Sequence, residues 1–399
     1  MNSTRACPIC RSAQSCKLYT QRFARIEGCD LLRGYDVVSC LGCGFTFADA
    51  IPPQSWFDHY YQSLSKYEDP SLTGALNAAD EARFKVTAEM LSGFLPNPRS
   101  SVLDVGCATG GQLHALSVLG FQRLHGLDPS PVCARCVTSL HGIPAETGTI
   151  FDNTLADRYD VLIIQAVLEH VVDLEKALQC LAARVADDGL VYVHVPDATR
   201  FGERRLVPYQ EFSLEHVNYF SPVSLTNLLV AAGFERVYLD QVTVGMGSGS
   251  QVEPGIRGLF RRTSAPPRPP VYDPVSAQSI RQYVEASARV EAVTQQLVAE
   301  IARRGTPIMV WGTGTYTLHL LATSDLSKAN ITAFVDSNPK YQCHKIDGVP
   351  IIRPEDLSGR PDPILVSTRM YEHEIVRQIR EVLRLPNDVI LPWENPVMD

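Results

Sequence analysis

The stretch Val102–Leu116, VLDVGCATGGQLHAL, decides the fold. Its apolar start predicts a buried strand ending at Asp104, and Gly106, Gly110 and Gly111 then predict a sharp turn into a helix. Glycine is needed in such a turn because a side chain would block the close approach of a ligand. The next strand, RLHGLDPS, ends in Asp128, about twenty residues beyond the glycines. A carboxylate there can accept hydrogen bonds from both hydroxyls of a ribose. Strand, glycine turn, helix, strand and acid together predict a Rossmann-like nucleotide site in an α/β domain.

Short apolar strands alternating with amphipathic helices extend this pattern from Val102 to about Asp240, which predicts a largely parallel sheet. We place the domain at residues 99–245, with a helical connector at 51–98 that ends in Pro96, Asn97 and Pro98. Residues 246–305 open on a glycine-, serine- and proline-rich passage, taken as a linker, and continue as a long polar helix from about Val275 to Arg304. Four arginines of the linker (Arg257, Arg261, Arg262, Arg268) suit either a diphosphate or a solvated face. The strand-turn-helix pattern restarts at Pro307, so 306–399 reads as a second Rossmann-like α/β domain. There Gly312, Gly314 and Asp336 imitate a dinucleotide fingerprint whose third glycine is Thr317, which makes them candidate acceptor-binding residues.

Residues 1–50 carry many turn formers and four paired cysteines, Cys7 and Cys10 with Cys40 and Cys43. Two CxxC turns aim four thiolates at one centre, the donor set of a closed, structural zinc site. The 29 residues between the pairs predict a hairpin insert. Cys16 and Cys29 are alternative ligands that lack the pairing. The net charge of −8 over 399 residues argues against coating nucleic acid or anionic membrane. No run of eighteen apolar residues occurs, and the opening residues lack the pattern of a signal peptide, so the sequence reads as cytoplasmic.

DVGCATG followed by GLDPS resembles motif I and the acidic loop of class I S-adenosylmethionine-dependent methyltransferases, and VLEHV (Val167–Val171) resembles their segment beside the methionine moiety. The resemblance implies that Asp104, Gly106, Cys107 and Gly110 line the methyl donor. It also implies that Asp128 holds its ribose and that Gln165 to Glu169 close the methyl side. His170 reads as scaffold.

A long excursion follows the strand VYVHVPDA and carries Glu211, Glu215, His216, Asn218 and Tyr219. Loops at the carboxyl edge of a sheet are where acceptors bind, and a histidine beside a glutamate can act as a general base near neutral pH. Here the chain resembles the sugar C-methyltransferases that act on nucleotide-linked keto sugars. They combine a four-cysteine zinc module, a class I methyltransferase domain and a C-terminal Rossmann-like domain. Their signature, tyrosine-x-glutamate-histidine and then tyrosine-phenylalanine-serine, is met by Glu215-His216 and Tyr219-Phe220-Ser221, with Ser213 at the first tyrosine. The resemblance implies His216 as base aided by Glu215, Tyr67 from the cluster FDHYYQSLSKYED entering the active site, and Tyr219 beside the acceptor. A nucleotide sugar is the expected small-molecule partner, with S-adenosylmethionine and zinc as cofactors. Three other functions stay open: O-methylation of a polysaccharide precursor or small molecule, an RNA-directed methyltransferase reading through the zinc module, and a donor-binding scaffold without catalysis.

Overall fold

The structure is a computed structural model describing residues 4–63, 76, 78–152, 158–203, 207–246 and 251–393. The chain forms two compact units. One gathers Met1–Lys17, Val38–Glu203 and Glu215–Ser279; the other gathers Leu18–Val37, Arg204–Leu214 and Ile280–Asp399.

At the N-terminus, β1 (Ser15–Arg22) and β2 (Gly34–Cys40) pair as the hairpin expected between the two cysteine pairs. A short β3 (Thr46–Asp49) follows, then α1 (Gln54–Ser63) and α2 (Ala78–Ser92). The first unit is then built on alternating elements: β4 (Ser101–Val105), α3 (Gly111–Val118), β5 (Arg123–Asp128), α4 (Pro131–His141) and β6 (Ala145–Thr147). They continue as β7 (Tyr159–Gln165), α5 (Leu174–Arg184) and β8 (Val185–Pro196). After the excursion come β9 (Asn218–Tyr219), α6 (Pro222–Ala231), β10 (Phe234–Met246) and β11 (Gln251–Arg262).

The resulting seven-stranded sheet has the order β10-β11-β8-β7-β4-β5-β6. Only β11 runs against its neighbours, inserted between β8 and β10. This is the class I methyltransferase sheet, and it corrects one expectation. The passage taken as a linker after residue 245 supplies the antiparallel strand, so the domain extends to Arg262. Two of its four arginines serve the sheet: Arg257 Nη2 meets Asp240 Oδ2 at 2.6 Å, and Arg262 donates to the carbonyl of Val185.

β4 is buried along its whole length and β7 along most of it, as expected of central strands with helices on both faces of the sheet. One face shares its core with the cysteine segment: Cys7, Val38, Cys40, Cys43, Phe45 and Phe47 lie in the same buried cluster as Leu103, Val105, Ile164 and Phe220. The expected N-terminal module is therefore no separate body. Its cysteines are built into the core of the methyltransferase unit, while Leu18–Val37 groups with the second.

The second unit centres on α7 (Ser276–Arg304), β12 (Ile308–Trp311), α8 (Thr315–Thr323), β13 (Ile331–Val335) and the hairpin β14 (Lys345–Ile346) with β15 (Val349–Ile352). β16 (Ile364–Val366), α9 (Glu372–Arg377) and β17 (Val389–Ile390) complete it. Its sheet order is β14-β15-β13-β12-β16-β17, parallel except for the hairpin, as expected of a second Rossmann-like domain. Among the described residues no helix is long and apolar enough to cross a membrane.

Candidate active site

The donor loop leaves β4 at Gly106, whose φ of +78° is left-handed, and Ala108 also adopts positive φ. A Cβ on Gly106 would stand 2.6 Å from Val167 Cγ2, so only glycine fits between the loop and the segment after β7. Asp128 fixes the loop from β5. Its Oδ2 accepts the N–H of Ala108 at 2.8 Å and its Oδ1 that of Ser130 at 2.9 Å. A carboxylate has about four lone-pair sites, and these two amides take one on each oxygen. Asp104 is fully buried, and burial, reinforced by the charge of Asp128, lifts its carboxyl to about 7. Burial also raises Cys107 well above the ordinary thiol range, so it lines the loop as a neutral thiol. At the end of β7 the side-chain oxygen of Gln165 is buried without a hydrogen-bond partner, and Ala166 takes positive φ beside it. An orphaned acceptor and a glycine-only loop at one sheet edge fit a nucleoside-bearing donor.

Beyond that edge, two segments distant in sequence are stapled together. Asn218 donates to the carbonyls of Leu168 at 2.8 Å and Val171 at 2.7 Å, and the Val217 amide donates to Glu169 at 2.8 Å. On its other side β9 pairs with β3, Thr46 opposite Tyr219 and Phe47 opposite Asn218. Arg5 joins the same knot through Val172 O at 2.6 Å and Asn218 Oδ1 at 3.1 Å. Burial lowers Arg5 to about 10, which leaves it charged at neutral pH.

This knot brings His170 against His216, with ring centroids 4.9 Å apart, and His170 Nε2 lies 3.9 Å from Glu169 Oε1. The segment read as scaffold thus adds a second imidazole to the site. His170 Nδ1 is 3.2 Å from the carbonyl of Glu215 and 2.9 Å from the phenol of Tyr61. A carbonyl can only accept, so the contact with Glu215 calls for a hydrogen on Nδ1, whereas the phenol of Tyr61 can donate or accept. Tyr60 donates to Glu215 Oε1 at 2.7 Å. Both phenols come from adjacent residues of α1.

Other expected residues fall elsewhere. Tyr67 lies outside the described residues. Tyr219 is buried and its phenol donates to the carbonyl of His216 at 3.1 Å, within its own loop. Glu211 and Ser213 belong to the second unit, where the Glu211 amide donates to Tyr283 Oη at 3.1 Å and Tyr35 donates to the Ser213 carbonyl at 2.7 Å. Gly312, Gly314 and Asp336 gather in that unit at the end of β12. The hydroxyl of Thr317 bonds Ser367 Oγ at 2.6 Å, tying α8 to the strand beside it where a third glycine would give close packing.

The four cysteines converge. Cys7 and Cys43 sulfurs are 3.6 Å apart, Cys10 and Cys40 are 3.3 Å apart, and all four lie within 4.8 Å of one another. Tetrahedral zinc at about 2.3 Å would hold its sulfurs about 3.8 Å apart, so the set fits the ion. The Gly42 amide donates to Cys40 Sγ at 3.3 Å, and a Cβ on Gly44 would collide with the carbonyl of Asp273. Hydrogen bonding to Cys40 pushes Cys7 up to about 12, while Cys43 and Cys7 pull Cys40 down. Four thiolates at this spacing need a dication to coexist. Cys16 and Cys29 take no part in the cluster.

The strand order, the glycine turn and the two acids define the class, and comparison with known proteins agrees with it. A family model described as a methyltransferase domain matches residues 79–239, and one described as C2185-like, N-terminal, matches residues 306–391. The chain is an S-adenosylmethionine-dependent methyltransferase with a class I donor domain. It is similar to the C-methyltransferase NovU of Streptomyces niveus, 25% identical over 390 residues that cover 92% of this chain and 88% of that one. It is also 27% identical to a ubiquinone biosynthesis O-methyltransferase of Methylobacterium nodulans, over 35% of this chain and 61% of that one. Among solved structures, magnesium protoporphyrin IX methyltransferase from Synechocystis PCC 6803 is 15% identical with a TM-score of 0.38, covering 54% of this chain and 99% of that one.

Proposed function

We propose that the enzyme methylates a carbon of a nucleotide-linked keto sugar, with His216 as general base. The cluster of His216, His170, Glu215, Tyr60 and Tyr61 carries the reading: two imidazoles and two phenols meet in one unit with the donor loop. S-adenosylmethionine supplies an electrophilic methyl on its sulfonium. Asp128 would hold the ribose, Gln165 and Glu169 would close the methyl side, and Asp104 would face the cationic end.

His216 would take the proton from the carbon beside the sugar carbonyl, and the enolate so formed would attack the methyl in line. The C–H electron pair becomes the new C–C bond, the proton rides on the imidazole, and the sulfonium leaves as a neutral thioether. Glu215, held by Tyr60, sets the loop that carries the base. With Ser213 at the position of the family tyrosine, the phenols of α1 are, among the described residues, candidates to assist the base. Positioning supplies much of the rate, since the sulfonium is already a strong methyl donor. A zinc ion on Cys7, Cys10, Cys40 and Cys43 would be structural, its four positions closed by sulfur.

Likeness to a C-methyltransferase over nearly the whole chain supports carbon as the nucleophile; likeness to the O-methyltransferase covers 35% of the chain. Incubation with labelled donor and a panel of nucleotide keto sugars, followed by mass spectrometry, tests the proposal. A carbon-methylated product supports it, and an exclusively oxygen-methylated product overturns it.

A further inference from the structure

The knot that joins the segment after β7 to the segment before β9 gathers three groups with a further chemistry in common. Glu169, His170 and His216 all belong to the first unit, and one ligand atom from each lies within 4.8 Å of the other two. Three atoms so spaced stand at most about 2.8 Å from a common point, and zinc binds imidazole nitrogen and carboxylate oxygen at about 2.0–2.2 Å. Each side chain therefore needs to move inward by about 0.7 Å or less to close on one ion. Two imidazoles and one carboxylate form the kind of donor set that holds zinc with its fourth position open.

The neighbours of these groups orient them as ligands. His170 Nδ1 meets the carbonyl of Glu215 at 3.2 Å, and Nε2 lies 3.9 Å from Glu169 Oε1. A metal-bound histidine gives its other ring N–H to a carbonyl or carboxylate in this manner, which fixes the ring and turns its bare nitrogen to the ion. The Val217 amide donates to the Glu169 carbonyl at 2.8 Å, so the residue after His216 is tied to the carboxylate member of the trio. Glu169 is buried, whereas both imidazoles are partly exposed. An ion would thus enter past the two rings and meet the carboxylate beneath them.

We propose that Glu169, His170 and His216 bind one divalent cation of the zinc class, separate from the four-cysteine centre, and that the bound ion holds methyl transfer off. A neutral imidazole has one lone pair. While His216 gives it to the metal it cannot take a proton from an acceptor, and release of the ion restores the base. That inhibitory role rests on His216 as the base; occupancy of the site does not. Three ligands carrying one negative charge hold a dication less tightly than four thiolates do, so this site fills and empties while the cysteines stay loaded.

Full-length protein with one zinc on its cysteines and S-adenosylhomocysteine bound is titrated by calorimetry with zinc, and in parallel with cobalt(II). A second equivalent should bind, and the cobalt spectrum should show d–d bands without the intense charge-transfer band of cobalt on thiolate. Glu169→Gln, His170→Gln and His216→Asn should each weaken that binding about tenfold or more with melting temperature unchanged. His216→Asn, at a partly exposed position, keeps the test valid if either of the other variants fails to fold. With an active acceptor, zinc should inhibit in step with the second equivalent, and a chelator that leaves one zinc per chain should restore the rate. Absence of a second equivalent, or one indifferent to the substitutions, overturns the site. Zinc that fills the site without slowing turnover overturns the role given to the ion. Binding is read with no acceptor present, so a second equivalent lost in the variants stands even if no nucleotide sugar is methylated, and only the acceptor reading then falls.

Discussion

Protonation of Asp104 gives a quantitative prediction about donor binding. Its carboxyl is raised from the usual 3.8 to about 7, by burial first and by Asp128 second. About three units correspond to roughly 4 kcal/mol between its two protonation states. The folded chain therefore holds a proton here that the unfolded chain releases. The stability this contributes is complete below about pH 4 and is lost as pH rises through about 7. S-Adenosylmethionine brings an ammonium and a sulfonium, and a cation beside Asp104 should draw its carboxyl back down, so binding should expel the proton. With a carboxyl near 7, about 0.9 proton leaves per donor bound at pH 6 and about 0.1 at pH 8. Affinity should rise about tenfold per pH unit below 7 and level off above it. Calorimetry at both pH values, in buffers of unlike ionisation heat, reads the proton count directly, and Asp104→Asn should abolish the buffer dependence. Equal heats in both buffers at pH 6 would refute the reasoning and place the cationic end of the donor away from Asp104.

Four further outcomes follow from the site. His216→Asn should slow turnover by about a hundred- to ten-thousand-fold with donor affinity within error; near-normal turnover would pass the role to His170 or to an acceptor acidic enough to need no base. Asp128→Ala should weaken S-adenosylhomocysteine binding by about 1–3 kcal/mol in calorimetry, and an unaltered dissociation constant would put the ribose partner elsewhere. Purified protein should contain one zinc per chain, and Cys7→Ser/Cys40→Ser protein should lose both metal and solubility; unchanged zinc content rejects the assignment. With a keto-sugar acceptor and S-adenosylhomocysteine in place of the donor, solvent deuterium should enter the carbon beside the carbonyl only when His216 is present.

The donor loop was legible in the sequence because its chemistry is local. A strand, glycines that a ligand or a neighbour requires, and an acid at the end of the next strand all lie within thirty residues. The cysteine pairs were legible for the same reason. β11 was not, because Gly255 and Gly258 read as turn formers. In the sheet they are glycines for another cause: a Cβ on Gly255 would strike the imidazole of His194, and one on Gly258 would stand 2.5 Å from the ring of Phe260. In the sequence His170 reads as scaffold because nothing near it says that residues forty-six positions later return to it. The staple formed by Asn218 and Val217 is what makes that meeting, and it is visible only in three dimensions. Likewise, Tyr219 matched a family motif, but a motif does not say whether a phenol faces a ligand or its own backbone.

The six alternating segments of the two units mean that the chain passes from one to the other five times. Synthesis runs in one direction, so Leu18–Val37 leaves the ribosome about 270 residues before β12 of its own unit is made. At about 5–20 residues per second that interval is on the order of 15–55 s. Throughout it Phe23, Ile26, Leu31 and Leu32, all buried in the finished protein, lack the sheet that completes their unit. Neither unit can be excised as a contiguous piece, and the segment Leu18–Val37 waits for most of its unit until translation is nearly done.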